Sequence, residues 1–416
     1  MPSFSGNQTG VFMKRRVVVT GLGIVSPIGI GKEAFWQGLM AGKNGMSDVD
    51  LFDTSEFPCR RGGQIRDFVP SQYLRAESIG RMSAATQFAV AAARMAVEDS
   101  RLNGHMEPER TSVAMGTTNS EAAALEKICE TWVKEGYEQI DPQLITRYPG
   151  HLIPIHMAME FGAEGQIVTL PNACSAGNWA IGFGSELIKS DDADVVLAGG
   201  CDSLARSAFV GFNRTFAMAP EMCQPFDINR KGLMHGEGAA VLVLESLDHA
   251  QRRGAHIYAE VAGFGVSCDT YHITGPDPSG RGAVEATINA LTNSGLKPED
   301  INYVSAHGTG TKPNDKVETL ATKKVFGDLA KRIPISSIKS MIGHSFGAAS
   351  AIEALAGSLI IEEGMIPPTI NYRDPDPECD LDYVPNEARQ HKVDALLSNA
   401  YAFGGNCAVL ALRAMR

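Results

Sequence analysis

Cys174 has the clearest chemical potential of any residue in this chain. It lies in the stretch LPNACSAGNW (170–179), after the apolar run QIVTL (166–170) and before a segment predicted to be helical over 175–189. At the N-terminus of a helix, unpaired backbone N–H groups and the helix dipole favour an anion. We therefore expect the pKa of the Cys174 thiol to fall from about 8.5 towards neutrality, which gives a nucleophilic thiolate.

Two further stretches place a histidine beside a glycine turn. His307 lies at the predicted end of a strand in VSAHGTGT (304–311), where the hydroxyls of Thr309 and Thr311 could order a small polar group. His344 follows Lys339 in SIKSMIGHS (337–345), just before another predicted helix. Lys339 stands among residues that look buried, and a buried ammonium needs a carboxylate partner. Glu318 is the partner that we expect.

A fourth stretch, NAYAFGGN (399–406), has an aromatic residue before a double glycine. Phe403, Gly404 and Gly405 fit either a hairpin turn or a mobile gate. Each of the four stretches also has an ordinary structural interpretation, such as a small core cysteine, a core histidine or a solvated lysine. No serine-hydrolase elbow, phosphate-binding loop or complete dinucleotide turn accompanies them. TGLG (20–23) is half of a dinucleotide fingerprint and is interpreted as strand packing.

Composition excludes several function classes. The 416 residues carry a formal net charge of -11, with 44% hydrophobic and 20% charged residues. This fits a globular protein with a large core and argues against a nucleic-acid surface, which needs clustered Lys and Arg. No apolar run reaches about 18 residues, so no membrane span is expected.

The cysteines and the N-terminus bear on compartment. None of the eight cysteines forms a C-x-x-C pair, so we predict neither a metal site nor a disulfide framework. They indicate a reducing compartment. Residues 1–14 lack the apolar core of a signal peptide and are predicted to be a disordered leader. The predicted location is cytoplasmic.

The elements that must position these residues alternate between apolar strands and helices. Strands are predicted in 15–26, 112–116, 195–200 and 239–245, and helices in 31–43 and 83–99. A second half begins near residue 255, with strands in 257–266 and 303–306, helices in 284–294 and 346–363, and a strand, a glycine turn and a strand over 398–412. This alternation predicts an α/β protein with mostly parallel sheets.

A short internal echo suggests that the two halves are related. Cys174-Ser-Ala-Gly177 and His344-Ser-Phe-Gly347 both precede a helix of small residues. Matching halves would bring these two helix beginnings together. We therefore predict two domains, 15–254 with the cysteine and 255–416 with the two histidines.

Taken together, the four stretches resemble the β-ketoacyl-acyl-carrier-protein synthases of the elongating Cys-His-His type. The motifs are NACSAG, AHGTGT, KSMIGH and FGGN, and the similarity runs from about Arg15 to Leu412. The resemblance implies a thiolase fold of five layers, αβαβα, with two pseudo-symmetric halves. It implies decarboxylative Claisen condensation of an acyl chain with malonyl-acyl carrier protein, without a metal or a free cofactor. Phosphopantetheine would arrive on the acyl carrier protein.

The resemblance also implies roles for the residues above. Cys174 would carry the acyl chain, and His307 and His344 would stabilise the enolate left by decarboxylation. Lys339, with Glu318, would order the site. The backbone N–H groups of Cys174 and Phe403 would form an oxyanion hole, and Phe403 would gate the acyl pocket. The remaining residues would bind substrate near the pantetheine channel: Thr309, Thr311, Gly404 and Gly405.

The chain departs from the family pattern at three places. Ala402 replaces a glycine before the gating phenylalanine, which could stiffen the gate. The threonine usual after the double glycine is missing. His235 stands where the family tends to have an apolar residue, and the sequence offers no account of it.

Several alternatives stay open at this point. A chain-length-factor-like partner subunit would lack the cysteine, and a thiolase or initiating synthase would keep only one of the histidines. A cysteine hydrolase would pass its acyl group to water. Fatty-acid elongation and type II polyketide synthesis are both open, with a slight preference for polyketide synthesis. The family also implies either a homodimer or a heterodimer with a Cys-less ketosynthase-like chain.

Overall fold

The computed structural model describes residues 15–102 and 104–415. The predicted leader, residues 1–14, lies outside the described residues. Across the two described ranges, no helix has the length and apolar character needed to cross a bilayer.

Most of the strands belong to one large sheet. In chain order the strands are β1 (Val17–Ser26), β2 (Gly29–Ile30), β3 (Ser47–Asp48), β4 (Arg61–Gly62), β5 (Thr111–Gly116), β6 (Ile167–Leu170), β7 (Val195–Asp202), β8 (Gly238–Ser246), β9 (Ala259–Cys268), β10 (Tyr303–Ser305), β11 (Ile335–Ser336), β12 (Met365–Ile366), β13 (Arg389–Gln390), β14 (Ala395–Tyr401) and β15 (Asn406–Arg413).

The helices lie between these strands and cover them. They are α1 (Lys32–Met40), α2 (Ala76–Ile79), α3 (Ala84–Ser100), α4 (Ala122–Glu135), α5 (Leu152–Phe161), α6 (Ala176–Lys189), α7 (Arg206–Arg214), α8 (Leu247–Arg252), α9 (Arg281–Ser294), α10 (Lys312–Phe326), α11 (Lys339–Ile342) and α12 (Gly347–Glu363). The predicted strands and helices all appear, with ends that differ by a few residues.

The order of strands repeats in the two halves of the sheet. Read from the centre, one half runs β1, β8, β7, β5, β6 and the other runs β9, β15, β14, β10, β11. β1 and β9 join the halves through the pairs Val18–Glu260 and Val19–Ala259. In each half, one long helix lies along the chain between the fifth strand and the third strand of this order. This helix is α6 in the first half, between β6 and β7, and α12 in the second half, between β11 and β14. The predicted pseudo-symmetry of the fold is confirmed.

The prediction of mostly parallel sheets is wrong. Parallel pairing joins β5 to β6 and β7, and β10 to β11 and β14. The longer pairings, among them β1–β8, β7–β8, β14–β15 and β9–β15, are antiparallel. The link between β14 and β15 shows one reason, since its four residues, 402–405, are too few for the crossover that a parallel pair needs.

Helices pack closely in the outer and central layers. At Gly23 in β1 a Cβ atom would lie 1.8 Å from the carbonyl oxygen of Ala92 in α3, so this strand admits only glycine there. TGLG is therefore strand packing, as predicted. In the centre, a Cβ at Gly177 would lie 2.5 Å from the backbone nitrogen of Ala351, which brings α6 against α12. Helix α3 packs on the first half of the sheet and α9 on the second, while α6 and α12 contact strands of both halves and lie between them. The two halves of the sheet are thus the two β layers of an αβαβα fold, and the helices that follow Cys174 and His344 are its middle layer.

Candidate active site

Cys174 lies in a strained turn before the central helix α6. The turn Ala173–Ser175 is 3₁₀-helical, and α6 begins at Ala176, one residue later than predicted. Ala173 has a φ of 46°, a left-handed conformation that L-residues adopt at a cost. The bend leaves Cys174 8% exposed, at the wall of a cavity.

The expected low pKa of the thiol is not what the structure shows. Burial raises the pKa of Cys174 to about 12, against a smaller lowering by the positive charge of Lys339. The backbone N–H groups of Phe403 and of Cys174 itself also act to lower this pKa. The position of Cys174 before a helix predicted a thiolate. Helix α12 packs against the turn that carries Cys174, and the resulting desolvation raises the thiol pKa by more than the helix position lowers it. The resting thiol is therefore protonated.

Two neutral imidazoles line the same cavity as this thiol. The ring centroids of His307 and His344 are 5.4 Å apart, and the ring planes are nearly perpendicular. Burial lowers the pKa of both histidines well below the usual value, and Lys339 lowers both further. Nδ1 of each ring is buried without a hydrogen-bond partner in the described part of the chain. Each ring is thus an uncharged hydrogen-bonding group at physiological pH.

One cavity of about 430 Å³ brings the chemistry-bearing residues together. The predicted site residues in its wall are Cys174, His307, His344, Thr309, Thr311, Phe403 and Gly405. Lys339, Glu318 and Gly404 are outside its lining. The hydroxyls of Thr309 and Thr311 are 2.9 Å apart and hydrogen-bonded to each other. Seven of the ten predicted site residues therefore line this one cavity.

The predicted ion pair between Lys339 and Glu318 is wrong. The Nζ atom of Lys339 donates to Glu353 of α12, and both side chains are 1% exposed. The carboxylate of Glu318 instead accepts the backbone N–H groups of His307 and Gly308, each at 2.8 Å. Glu318 thus fixes the loop that carries His307, and Lys339 is held by the helix that follows His344.

An aromatic contact within the cavity wall holds the glycine turn before β15. The ring of Phe403 stacks on Phe212, with centroids 5.5 Å apart and an interplanar angle of 14°. Gly404 and Gly405 have φ values of 78° and 76°, in the left-handed region. A Cβ at Gly405 would also lie 2.1 Å from Oδ1 of Asp269. The left-handed φ therefore favours glycine at both positions, and the contact with Asp269 requires it at 405.

Sequence reasoning missed two acidic residues that hold the site. Glu353 is the partner of Lys339, and it had a signal: it is the one charged residue in GAASAIEALAGSLI (347–360). Asp202, at the end of β7, accepts backbone N–H groups from Thr118 and Gly347, which ties the loop after β5 to the beginning of α12. Burial raises the pKa of Asp202 to about 6, although these donors oppose the shift.

Comparison with known families bears on this geometry. Residues 14–250 match the family model "Beta-ketoacyl synthase, N-terminal domain", and residues 258–373 match "Beta-ketoacyl synthase, C-terminal domain". The chain belongs to the beta-ketoacyl synthase family. It is an acyltransferase of the condensing class with a thiolase fold, as the resemblance predicted.

Relatives of this ketosynthase come from two pathways. It is 40% identical over 408 residues to 3-oxoacyl-[acyl-carrier-protein] synthase 2 of Synechocystis sp., covering 96% of this chain and 98% of that one. It is 42% identical over 416 residues to the tetracenomycin polyketide synthase ketoacyl synthase alpha subunit of Streptomyces glaucescens, covering 96% of this chain and 97% of that one.

Solved structures are similar over the same range. The ishigamide ketosynthase/chain length factor superposes with a TM-score of 0.94 at 42% identity, covering 97% of this chain and 100% of that chain. A type II PKS acyl-carrier protein in complex with its ketosynthase bound to the hexaketide gives a TM-score of 0.90 at 34% identity, with the same coverage. The predicted reaction class, carbon–carbon bond formation in fatty-acid or polyketide elongation, is confirmed.

Proposed function

We propose that this ketosynthase carries the growing acyl chain on Cys174 and extends it with malonyl-acyl carrier protein through His307 and His344. The observation that carries the proposal is the presence of all three side chains in the wall of one cavity. An acyl carrier thioester is attacked by sulfur, the new bond forms at the carbonyl carbon, and the carrier thiol leaves. Splitting the reaction at a covalent intermediate makes two steps of one difficult step.

In the acylation step, the thiol proton must leave as sulfur attacks. A thiol with a pKa of about 12 is protonated at neutral pH, so a base in the same cavity has to take the proton. One of the two neutral imidazoles can accept it and return it to the departing thiol of the carrier. The N–H groups of Cys174 and Phe403 donate to the thioester oxygen while negative charge is on it.

In the condensation step, the malonyl group loses CO2 and leaves an enolate. Charge develops on the malonyl thioester oxygen, where two imidazole N–H donors stabilise it. His307 and His344 suit this work because burial keeps both neutral. The enolate carbon attacks the acyl carbonyl on Cys174, the carbon–sulfur bond breaks, and the departing thiolate takes a proton from solvent to restore the thiol. The step has no requirement for a metal or a redox cofactor.

We infer that the substrate arm is phosphopantetheine on an acyl carrier protein. The outer wall of the cavity carries Lys231 and Lys312, whose positive charges suit the phosphodiester of that arm. The paired hydroxyls of Thr309 and Thr311 lie in the same wall and can hydrogen-bond the amides of the arm. All eight cysteines are free, which supports a reducing compartment such as the cytoplasm.

We infer that the chain works as half of a heterodimer with a Cys-less ketosynthase-like chain in a type II polyketide system. Strand β6 ends the sheet order and, among the described residues, has no second strand partner, so its outer edge can pair with another chain. Helix α5, which packs on β5 and β6, exposes Met159 to 72%. The similarity to a ketosynthase/chain length factor pair supports a heterodimer.

Fatty-acid elongation by a homodimer is the second candidate, supported by the equally extensive similarity to 3-oxoacyl-[acyl-carrier-protein] synthase 2. Light scattering of the purified chain separates the two candidates, because a stable homodimer on its own favours the second candidate.

We also propose that the chain divides into two domains, 15–254 and 255–416. The strand order that repeats in the two halves of the sheet supports this division.

The direct test mixes the purified chain, with its partner if it has one, with acyl- and malonyl-acyl carrier protein. We expect a β-ketoacyl product two carbons longer, one CO2 for each product, and an acyl group on Cys174 in the intact mass. Release of free acid without chain extension would favour a cysteine hydrolase instead.

A further inference from the structure

The imidazole of His235 is buried among aromatic rings without a polar partner. His235 is 1% exposed, and neither Nδ1 nor Nε2 has a hydrogen-bond partner in the residues that the structure describes. Its ring contacts Phe212 and Phe346 with centroids 4.6 Å and 4.5 Å apart, and Phe209 at 5.7 Å. Leaving a buried polar group unsatisfied is costly, so this side chain needs an explanation.

The charge of the ring narrows what it could bind. Burial lowers the pKa of His235 to about 3. The ring is therefore neutral at physiological pH and offers one N–H donor and one nitrogen acceptor. Moving an ion in among the surrounding phenylalanine rings would cost far more free energy than moving a neutral group there. A neutral oxygen, as in a ketone or a hydroxyl group, is the natural partner.

His235 is one ring away from the cavity that holds Cys174. Phe212 lies in the cavity wall and stacks on Phe403, and it also contacts the rings of His235 and Phe346. The side chains around Phe212 and Phe209 form an apolar cluster that includes Met46, Met218 and Met234. Methionine side chains adapt their shape easily, so the cluster can make room for an incoming chain.

We propose that His235 is a specificity-determining residue that hydrogen-bonds an oxygen on the growing acyl chain. The chain would extend from Cys174 past Phe403 and Phe212 and reach the imidazole with a keto or hydroxyl group beyond its β-carbon. A buried water is a poorer partner, because a water needs two to four polar contacts and the surrounding rings supply none. This inference rests on the proposed function of Cys174.

The test compares acyl chains that differ only in one oxygen. Octanoyl-pantetheine and oxo-octanoyl-pantetheines, each with one ketone beyond the third carbon, are offered separately, and acylation of Cys174 is followed by intact mass. We expect the wild type to prefer at least one oxo chain by about five- to tenfold, the effect of one neutral hydrogen bond. In H235L the ratio should approach one.

Two further variants keep the result interpretable. H235N retains an N–H donor at the same place and should keep part of the preference. H256L removes an exposed histidine that pairs with Glu362 at the surface, and it should keep the wild-type ratio. If H235L does not fold, the wild-type ratio and H235N still decide the matter.

The outcomes separate this inference from the proposed function. The role of His235 is overturned if every chain acylates the wild type at the same rate, or if the preference survives in H235L. Either result leaves the role of Cys174 unaffected. Failure of the wild type to be acylated by any chain overturns the proposed function and this inference with it.

Discussion

Lys339 and Glu353 form an ion pair that is closed off from solvent, each side chain being 1% exposed. The cation of this pair lowers the pKa of Cys174, His307 and His344, in each case as the largest influence after burial. One buried charge, positioned by α12, therefore acts on all three groups of the proposed mechanism. Glu353, which like Lys339 is outside the cavity lining, holds that charge in place.

Replacing the lysine should change both reactivity and stability. K339M removes the positive charge that lowers the pKa of the Cys174 thiol, so this pKa should rise further. Iodoacetamide should then alkylate the thiol more slowly at any given pH. Glu353 is left buried without its cation, which costs about 3–5 kcal/mol of unfolding free energy. Urea unfolding measures the second effect.

The double variant K339M/E353M is the matched control. It removes both charges, so it should regain most of the stability that K339M loses while keeping the slow alkylation. Equal stability of the single and double variants would contradict a coupled buried pair.

Removing the nucleophile should abolish chain extension and leave the fold intact. C174A has no sulfur to carry the acyl chain, so the extended product should disappear from the mass spectrum while the thermal transition changes little. C129A changes an exposed cysteine of α4 and should extend chains at the wild-type rate. Extension that persists in C174A would refute the covalent intermediate.

The two histidines should be needed for decarboxylation. H307A and H344A each remove one N–H donor from the malonyl oxygen, and losing one such donor costs about 10²–10³ in rate. Release of labelled CO2 from malonyl-acyl carrier protein reports this step. H344N returns an N–H donor and should recover part of the rate. Normal CO2 release from either alanine variant would show that its histidine has another role.

The sequence predicts the local parts of this site better than its electrostatics. The four stretches with Cys174, His307, Lys339 and Phe403 needed only residue type and spacing, and the echo before α6 and α12 predicted the paired halves. The pKa of the thiol could not be predicted, because its burial depends on α12, which is distant in the chain. The partner of Lys339 was within reach, since Glu353 is the single charge in a run of small residues.

The direction of the strands was also beyond the sequence pattern. Buried apolar strands such as β7 and β8 look the same whether they pair parallel or antiparallel. Their direction follows from the connections, and 203–237, which join these two strands, fold partly as α7 and partly as the apolar cluster near Phe209. That long excursion gives no sign in its composition of how the next strand will run.

Adding a methyl group at the two turn glycines should have unequal effects. In G404A the only cost is backbone strain at φ 78°, because the added Cβ would have no atom nearer than Nδ2 of Asn406, at 3.4 Å. About 1 kcal/mol is the usual cost of such a conformation. G405A adds a clash, with Oδ1 of Asp269 2.1 Å from the new Cβ.

We therefore expect G405A to displace the backbone N–H of Phe403 and to slow acylation of Cys174 far more than G404A does. Acylation rates by intact mass, together with urea unfolding of both variants, check this. Similar rates in the two variants would mean that the turn tolerates movement at Asp269.

The buried neutral ring of His235 should also make the fold sensitive to acid. Its pKa is 6.5 in an ordinary environment and about 3 in the folded protein. Above pH 6.5 both states are neutral at this residue, so it contributes no pH dependence. As pH falls from 6.5 towards 3, the unfolded chain binds a proton that the folded protein does not, and stability falls by about 1.4 kcal/mol for each pH unit.

H235L lacks this group, so its unfolding free energy should fall less steeply with acid than that of the wild type. Between pH 7 and pH 5, the wild type should lose about 2 kcal/mol more unfolding free energy than H235L does. Urea unfolding at both pH values measures it, and H256L, changed at the surface, should follow the wild-type slope. Parallel slopes for the wild type and H235L would show that His235 takes up a proton in the folded protein, which a ring enclosed by Phe212 and Phe346 should resist.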